Sequence, residues 1–259
     1  MPFVVTGVQD SIGTITLNHM EKRNALSEAL ITDLIAALTE FRRQNLRVIV
    51  LRAPHGVKVW SAGHDVSELP LANRDPLGWG DPLRRVIREL EDCPAPVIAM
   101  IEGGVWGGAC EMAFACDLVV AAQGATFALT PAKLGVPYNL TGLLTFMNTV
   151  SLHIVKEMAF TAQPITADRA ERLGIVNHVV PRDELERFTY ALAGNIAVNS
   201  PLSISVMKEE LNLLANARDL SPLTFERIQG LRRIVYNSHD YQEGIRAFLE
   251  KRSPHFTGE

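Results

Sequence analysis

One stretch, Glu102–Asp117 with the sequence EGGVWGGACEMAFACD, constrains the fold of this chain more than any other. It follows the apolar run Val97–Ile101, which reads as a buried strand, and leads into a helix-like segment carrying Met112, Phe114 and Ala115. Four glycines, Gly103, Gly104, Gly107 and Gly108, fall within six positions. Backbone without a Cβ can turn sharply and approach another group closely. The first N–H groups of the helix that follows have no acceptor inside it, so they can point at an anion or at an oxygen that is gaining charge. Gly108 N–H is the candidate for that role; on the glycines alone, a turn packed tightly for structural reasons stays open. Nucleotide cradles are excluded by spacing. The position two after Gly104 is Trp106, which breaks G-x-G-x-x-G, and Gly108 is followed by Ala109 and Cys110 where a P-loop needs Lys and Ser or Thr.

Several other function classes fall away on composition. A net charge of −4 over 259 residues, with no basic run, gives no surface for nucleic acid, whose binding rests on phosphate contacts. The start MPFVVTGVQDSIG carries no basic-then-apolar leader, and no apolar run approaches the roughly 20 residues of a membrane span. Three cysteines, Cys93, Cys110 and Cys116, imply reduced thiols and a cytoplasmic setting. Cysteines and histidines are too scattered for a metal site, so none is expected.

Along the chain, Phe3–Val8 and Ile12–Asn18 alternate as two strands. Ser27 is a good N-cap for a helix with Leu30, Leu34, Ile35, Leu38 and Phe41 on one face. Arg47–Arg52 is a buried strand. Asp65 and Glu68 have capping-box spacing, so a short helix should start at Val66 and leave His64 just before it. Leu69–Pro82 reads as a mobile surface segment, a candidate cover for a site, and Leu83–Leu90 as a helix. Leu118–Ala122 and Thr126–Leu129 are strands, followed by irregular TPAKLGVPYN, in which two prolines fix the position of Tyr138. Leu143–Val150 and Leu152–Phe160 are helices, a further one ends at Gly174, and Ile175–Val180 is a strand. The remainder is helical. Strands alternating with helices predict an α/β fold with a largely parallel sheet over residues 1–180, and a helical C-terminal region over 181–259 that packs on the core or on a neighbouring subunit.

In this order and spacing the motifs KRNALS (22–27), SAGHDVSEL (61–69), GGVWGGACEMAFACDLVVAA (103–122), ITADRAERLGIVNHVV (165–180) and EGIRAFLEKRSPHF (243–256) resemble the crotonase, or enoyl-CoA hydratase/isomerase, superfamily over essentially the whole chain. The resemblance implies a spiral of ββα turns, one family domain overall, assembled as a homotrimer or a homohexamer. It places an oxyanion hole on the backbone N–H groups of His64 and Gly108. It also implies coenzyme A contacts at Lys22, Ala25, Ala62, Gly63, His64, Asp65, Val66, Gly108, Thr130, Phe248 and Lys251, with no cofactor beyond the coenzyme A of the substrate.

Within that superfamily the chain is most similar to members that decarboxylate malonyl-type thioesters. His64, EGGVWGG and TPAKLGVPYN carry this likeness. Of the two carboxylates a hydratase uses, one matches Glu111, and Ala132 stands at the other. Water addition needs acid/base help on two atoms, which one carboxylate supplies poorly. Decarboxylation of malonyl-CoA or methylmalonyl-CoA to acetyl-CoA or propionyl-CoA is therefore the expected reaction. Tyr138 is the candidate for orienting the leaving carboxylate, with Glu111 kept as a catalytic candidate. A hydratase, isomerase or hydrolase using Glu111, and a non-catalytic acyl-CoA-binding or scaffold protein, are the alternatives.

Overall fold

The structure is a computed structural model that describes residues 2–70 and 74–258. The N-terminal alternation forms a hairpin of β1 (Val4–Gln9) and β2 (Ile12–Leu17), antiparallel with Val4 opposite Leu17. α1 (Glu28–Arg43) then carries the chain to β3 (Val48–Arg52), which lies parallel to β2. Ser27 caps α1 by accepting from Leu30 N–H, and Leu30, Leu34, Leu38 and Phe41 are buried against the core with Ile35 at its margin.

From β3 onward one unit occurs three times. β3, β4 (Val59–Ser61) and α2 (Pro82–Glu91) form the first. β5 (Val97–Ile101), β6 (Gly104–Trp106) and α3 (Gly108–Phe114) form the second. The third is β7 (Leu118–Ala122), β8 (Thr126–Ala128) and α4 (Leu140–Thr149). β3, β5 and β7 are parallel neighbours in one sheet, and β4, β6 and β8 are parallel neighbours in a second. Each unit thus sits one strand spacing beyond the last, which is the ββα spiral the motifs imply. α5 (Leu152–Thr161), β9 (Ile165–Thr166), α6 (Ala167–Arg172) and β10 (His178–Val180) complete it, with β9 antiparallel to β8 and β10 parallel to β7.

The large sheet is apolar on both faces because both are covered. Ile49, Leu51, Val97, Ala99, Ile101, Val119 and Ala121 face the main core. The alternate residues Val48, Val50, Ile98, Met100, Val120 and Ala122 face a second cluster under α7 (Leu185–Ala197). α8 (Pro201–Asn216), α9 (Pro222–Tyr236) and α10 (His239–Leu249) follow. Among the described residues no helix is long and apolar enough to cross a membrane.

Four local expectations need correction. The glycine stretch is not one turn from strand to helix, since β6 intervenes, held by ladders to β4 and β8 that short-range propensity cannot reveal. Ile175–Val180 is a strand only over His178–Val180; Ile175 and Val176 instead bury their side chains in the main core. Asp65 caps the helical turn Val66–Glu68 by accepting from Ser67 N–H, but Glu68 does not reach back to it. Its Oε2 accepts from Glu28 N–H at 2.8 Å and so serves the start of α1. Finally, part of Leu69–Pro82 is packed rather than superficial. Leu69 and Leu77 are buried in a small cluster with Val66, Val136, Tyr241 and Ile245, while residues 71–73 lie outside the described residues.

Candidate active site

Two loops, one after β4 and one after β6, bring His64 and Gly108 side by side. A Cβ built on Gly108 would lie 3.5 Å from His64 N, and one built on Gly63 would lie 3.0 Å from Gly108 N. Each amide is aimed by the carbonyl of its own peptide unit. Leu26 N–H donates to the Gly63 carbonyl at 2.8 Å, and Cys110 N–H donates to the Gly107 carbonyl at 3.0 Å. A planar trans peptide points its N–H opposite to its C=O, so the His64 and Gly108 N–H groups face away from these bonds. Neither has an acceptor among the described residues. Gly107 makes the turn possible: its backbone is at φ 54°, ψ −124°, and a Cβ there would meet Thr130 Oγ1 at 2.9 Å.

A cleft of about 840 Å³ opens beside these amides. Lys22, Ala25, Ala62, His64, Asp65, Val66, Gly108, Thr130, Tyr138, Phe248 and Lys251 all line it. Gly63 lies behind the lining. Lys22 Nζ reaches Asp65 at 2.9 Å, and the hydrogen bond and charge of Asp65 raise the lysine pKa. Burial works to raise the Asp65 pKa, but bonds from Ser67 and Lys22 prevail and hold it below the ordinary range. Leu83, Trp106 and Arg252, none of them among the site residues expected from the sequence, also line the cleft.

Tyr138 packs edge-on against Phe146, with ring centroids 5.0 Å apart, and its buried hydroxyl has no partner among the described residues. Burial, reinforced by Cys110 and Glu111, pushes its pKa well above the usual value, so it stays a neutral phenol with a proton to donate.

Glu111 departs from its expected place, for it does not line the cleft. It is fully buried and its Oε1 accepts from Arg84 Nη1 at 2.6 Å, with Oε2 unpartnered among the described residues. Gly142 closes over the carboxyl group, since a Cβ there would lie 2.9 Å from both oxygens. Burial pushes its pKa up to about 7, against the pull of Arg84. Ala132 is exposed on the helical turn Pro131–Leu134, so no second carboxylate faces Glu111 from that position.

The enoyl-CoA hydratase/isomerase family profile matches residues 7–259, and the chain belongs to that family. Across 249 residues it is 52% identical to methylmalonyl-CoA decarboxylase of Escherichia coli (strain K12), spanning 96% of this chain and 95% of that one. A solved methylmalonyl-CoA decarboxylase in complex with 2-nitronate-propionyl-CoA superimposes with a TM-score of 0.98 at 51% identity, over 99% of both chains. A second, complexed with 2S-carboxypropyl-CoA, gives 0.97 at 51% identity, over 99% of this chain and 98% of that one.

Proposed function

We propose that this chain decarboxylates methylmalonyl-CoA to propionyl-CoA, with the His64 and Gly108 amides as the oxyanion hole. The observation that carries the reading is the pair of unpartnered N–H groups, from separate loops, meeting at the wall of an acyl-CoA-sized cleft. As the bond between C2 and the carboxylate breaks, its electron pair moves into the thioester carbonyl and carbon dioxide leaves. The enolate oxygen takes the charge, and the two preorganised N–H donors stabilise it. Protonation at C2 then gives propionyl-CoA. No basic side chain is needed to start the reaction, which agrees with Glu111 being withdrawn from the cleft.

The phenol of Tyr138 supports the reading from the other side. Donating to the substrate carboxylate, it holds that group across the thioester plane, where the breaking bond overlaps the carbonyl π system. A hydrogen bond to a charged group is worth about 1.5–3 kcal/mol. Tyr138→Phe is therefore expected to lower turnover about 10- to 10²-fold. Unchanged turnover would remove Tyr138 from the mechanism.

Coenzyme A would run along the cleft wall of Lys22, Arg23, Ala25, Ala62, His64, Asp65 and Val66 to Phe248 and Lys251. Lysine contributes a point charge for phosphate. Leu202, Leu211 and Leu214 of α8 and Leu223 and Ile234 of α9 are exposed, an apolar surface that suits the packing of further copies in a trimer or hexamer. Sedimentation equilibrium giving a monomer would rule that assembly out. The three free cysteines, all buried, suit a cytoplasmic protein.

The direct test is to incubate the protein with methylmalonyl-CoA and, separately, with crotonyl-CoA, and follow the thioesters by mass. Loss of carbon dioxide from the first and no hydration of the second is the expected pair of results. Hydration of crotonyl-CoA without decarboxylation would overturn the proposal in favour of Glu111 chemistry, and binding without turnover in favour of a non-catalytic role.

A further inference from the structure

We propose that the segment 74–81 positions both halves of the reaction site, Asp81 through the ring of His64 and Asp75 through Arg232 to Tyr138. The assignment of what is positioned rests on the decarboxylase reading above; the contacts themselves do not.

Asp81 is the N-cap of α2. Its Oδ1 accepts from Leu83 N–H at 2.9 Å, which fixes the carboxylate at the head of the helix. The other oxygen, Oδ2, lies 2.9 Å from His64 Nε2. Both side chains are nearly buried, at 11% exposure for His64 and 9% for Asp81. On the far side of the ring, His64 Nδ1 faces the Asp65 carbonyl at 3.2 Å. A carboxylate and a carbonyl only accept, so both contacts are satisfied together when both ring nitrogens carry protons, as in the imidazolium form. Pinned at two points, the ring cannot rotate, and the backbone that bears the His64 N–H is fixed with it. Leu83, whose amide Asp81 holds, is also the side chain that abuts Gly108, where a Cβ would meet its Cδ2 at 2.6 Å. One carboxylate therefore secures the neighbourhood of both amides.

The second arm is independent of the first. Arg232 of α9 binds Asp75 with two parallel bonds of 2.6 Å, and its Nε donates to the Tyr138 carbonyl at 3.1 Å. Asp75 Oδ1 also accepts from Leu77 N–H at 3.0 Å. Tyr138 is thus tied to the same segment that holds His64. A misplacement of about 1 Å in a reacting group can cost roughly 10²-fold in rate, so such ties belong to the catalytic geometry without touching substrate.

The charge state gives the pairing its own signature. Burial pulls the His64 pKa down, but the Asp81 hydrogen bond and charge, the Asp65 carbonyl and the charge of Glu68 outweigh it and leave the value raised. Lys22 is turned to Asp65. A histidine with a raised folded pKa has its pairing intact below its ordinary value of about 6.5 and loses it as pH rises through the raised one.

The test compares wild type with Asp81→Asn, which keeps a capping oxygen, and Asp75→Asn, using two readouts. In substrate-free protein, nitrogen NMR of His64 should show the doubly protonated ring persisting above its ordinary pKa, and Asp81→Asn should move the titration to lower pH. With methylmalonyl-CoA, each variant should lose about 10- to 10²-fold in kcat with KM changed far less. The alkaline fall of kcat should shift down in Asp81→Asn and stay in place in Asp75→Asn. Should Asp81→Asn not fold, Asp81→Ser retains a cap and removes the pairing. An unmoved His64 titration, or unchanged kcat in the folded variants, overturns the proposal. Wild-type protein that leaves methylmalonyl-CoA intact overturns the decarboxylase reading instead, while the titration still decides whether Asp81 pins His64.

Discussion

Gly63→Ala is expected to lower kcat for methylmalonyl-CoA by about 10²–10³-fold, the loss that follows removal of one oxyanion donor. Gly63 sits at φ +85°, and a Cβ there would be driven into the Trp106 carbonyl while lying 3.0 Å from Gly108 N. Both obstacles are backbone, so neither can rotate aside. The loop carrying His64 must retreat from the loop carrying Gly108, which separates the two amides that the proposed mechanism requires on one oxygen. Left-handed backbone strain alone costs about 1–2 kcal/mol for an alanine, so stability will fall as well. Gly124→Ala separates the two effects: its φ is +83° with nothing within 4 Å of the added carbon. That control should lose stability and keep its turnover. Gly108→Ala should fall between them, because its Cβ meets the end of the Leu83 side chain, which can move. Steady-state formation of propionyl-CoA, with urea melts of each variant, measures the series; a fully active Gly63→Ala would contradict the paired-amide mechanism.

What could be read in advance follows from how local each signal is. The β1–β2 hairpin, the Ser27 cap and the doubly apolar β5 rest on alternation, one side chain and one run, so sequence neighbours suffice. β6 contains a glycine and is three residues long, and it exists because β4 and β8 pair with it. Glu68 has the spacing of a capping box, yet it caps a helix 40 residues away, a choice only the tertiary fold makes. Separation in sequence likewise hides the roles of Asp81 and Arg232. Asp81 lies 17 residues from His64, and Arg232 lies 157 from Asp75. An Asp-Pro pair opening α2 is a legible N-cap signal, but nothing in it says that the second carboxylate oxygen holds a histidine. Gly108 is legible from the glycines and the open helix N-terminus, whereas the role of His64 comes from motif likeness; the fold places them together because consecutive ββα turns stack their second strands.

Glu111 is buried against Arg84 and does not line the cleft, and that pairing predicts a large effect on stability. Arg84 and Glu111 are 5% and 0% exposed and 2.6 Å apart. Removing one member of a buried pair leaves the other charge uncompensated, at a cost of about 3–5 kcal/mol. Glu111→Ala should lose about that much in urea melts, because Arg84 stays buried and a void opens under Gly142. Glu111→Gln should lose far less, since an amide oxygen can still accept from Arg84. The pH dependence separates the variants further. With a folded pKa raised to about 7 by burial, Glu111 favours the folded state below its unfolded value near 4.5 and loses that contribution as pH rises through 7. Wild-type stability should therefore carry a downward component between about pH 4.5 and 7 that Glu111→Gln lacks. Decarboxylation in Glu111→Gln should remain near the wild-type rate, because the carboxyl faces Arg84 and Gly142 and does not line the cleft. A large loss of turnover in that folded, stable variant would return Glu111 to the reaction and require a proton path from α3 into the cleft.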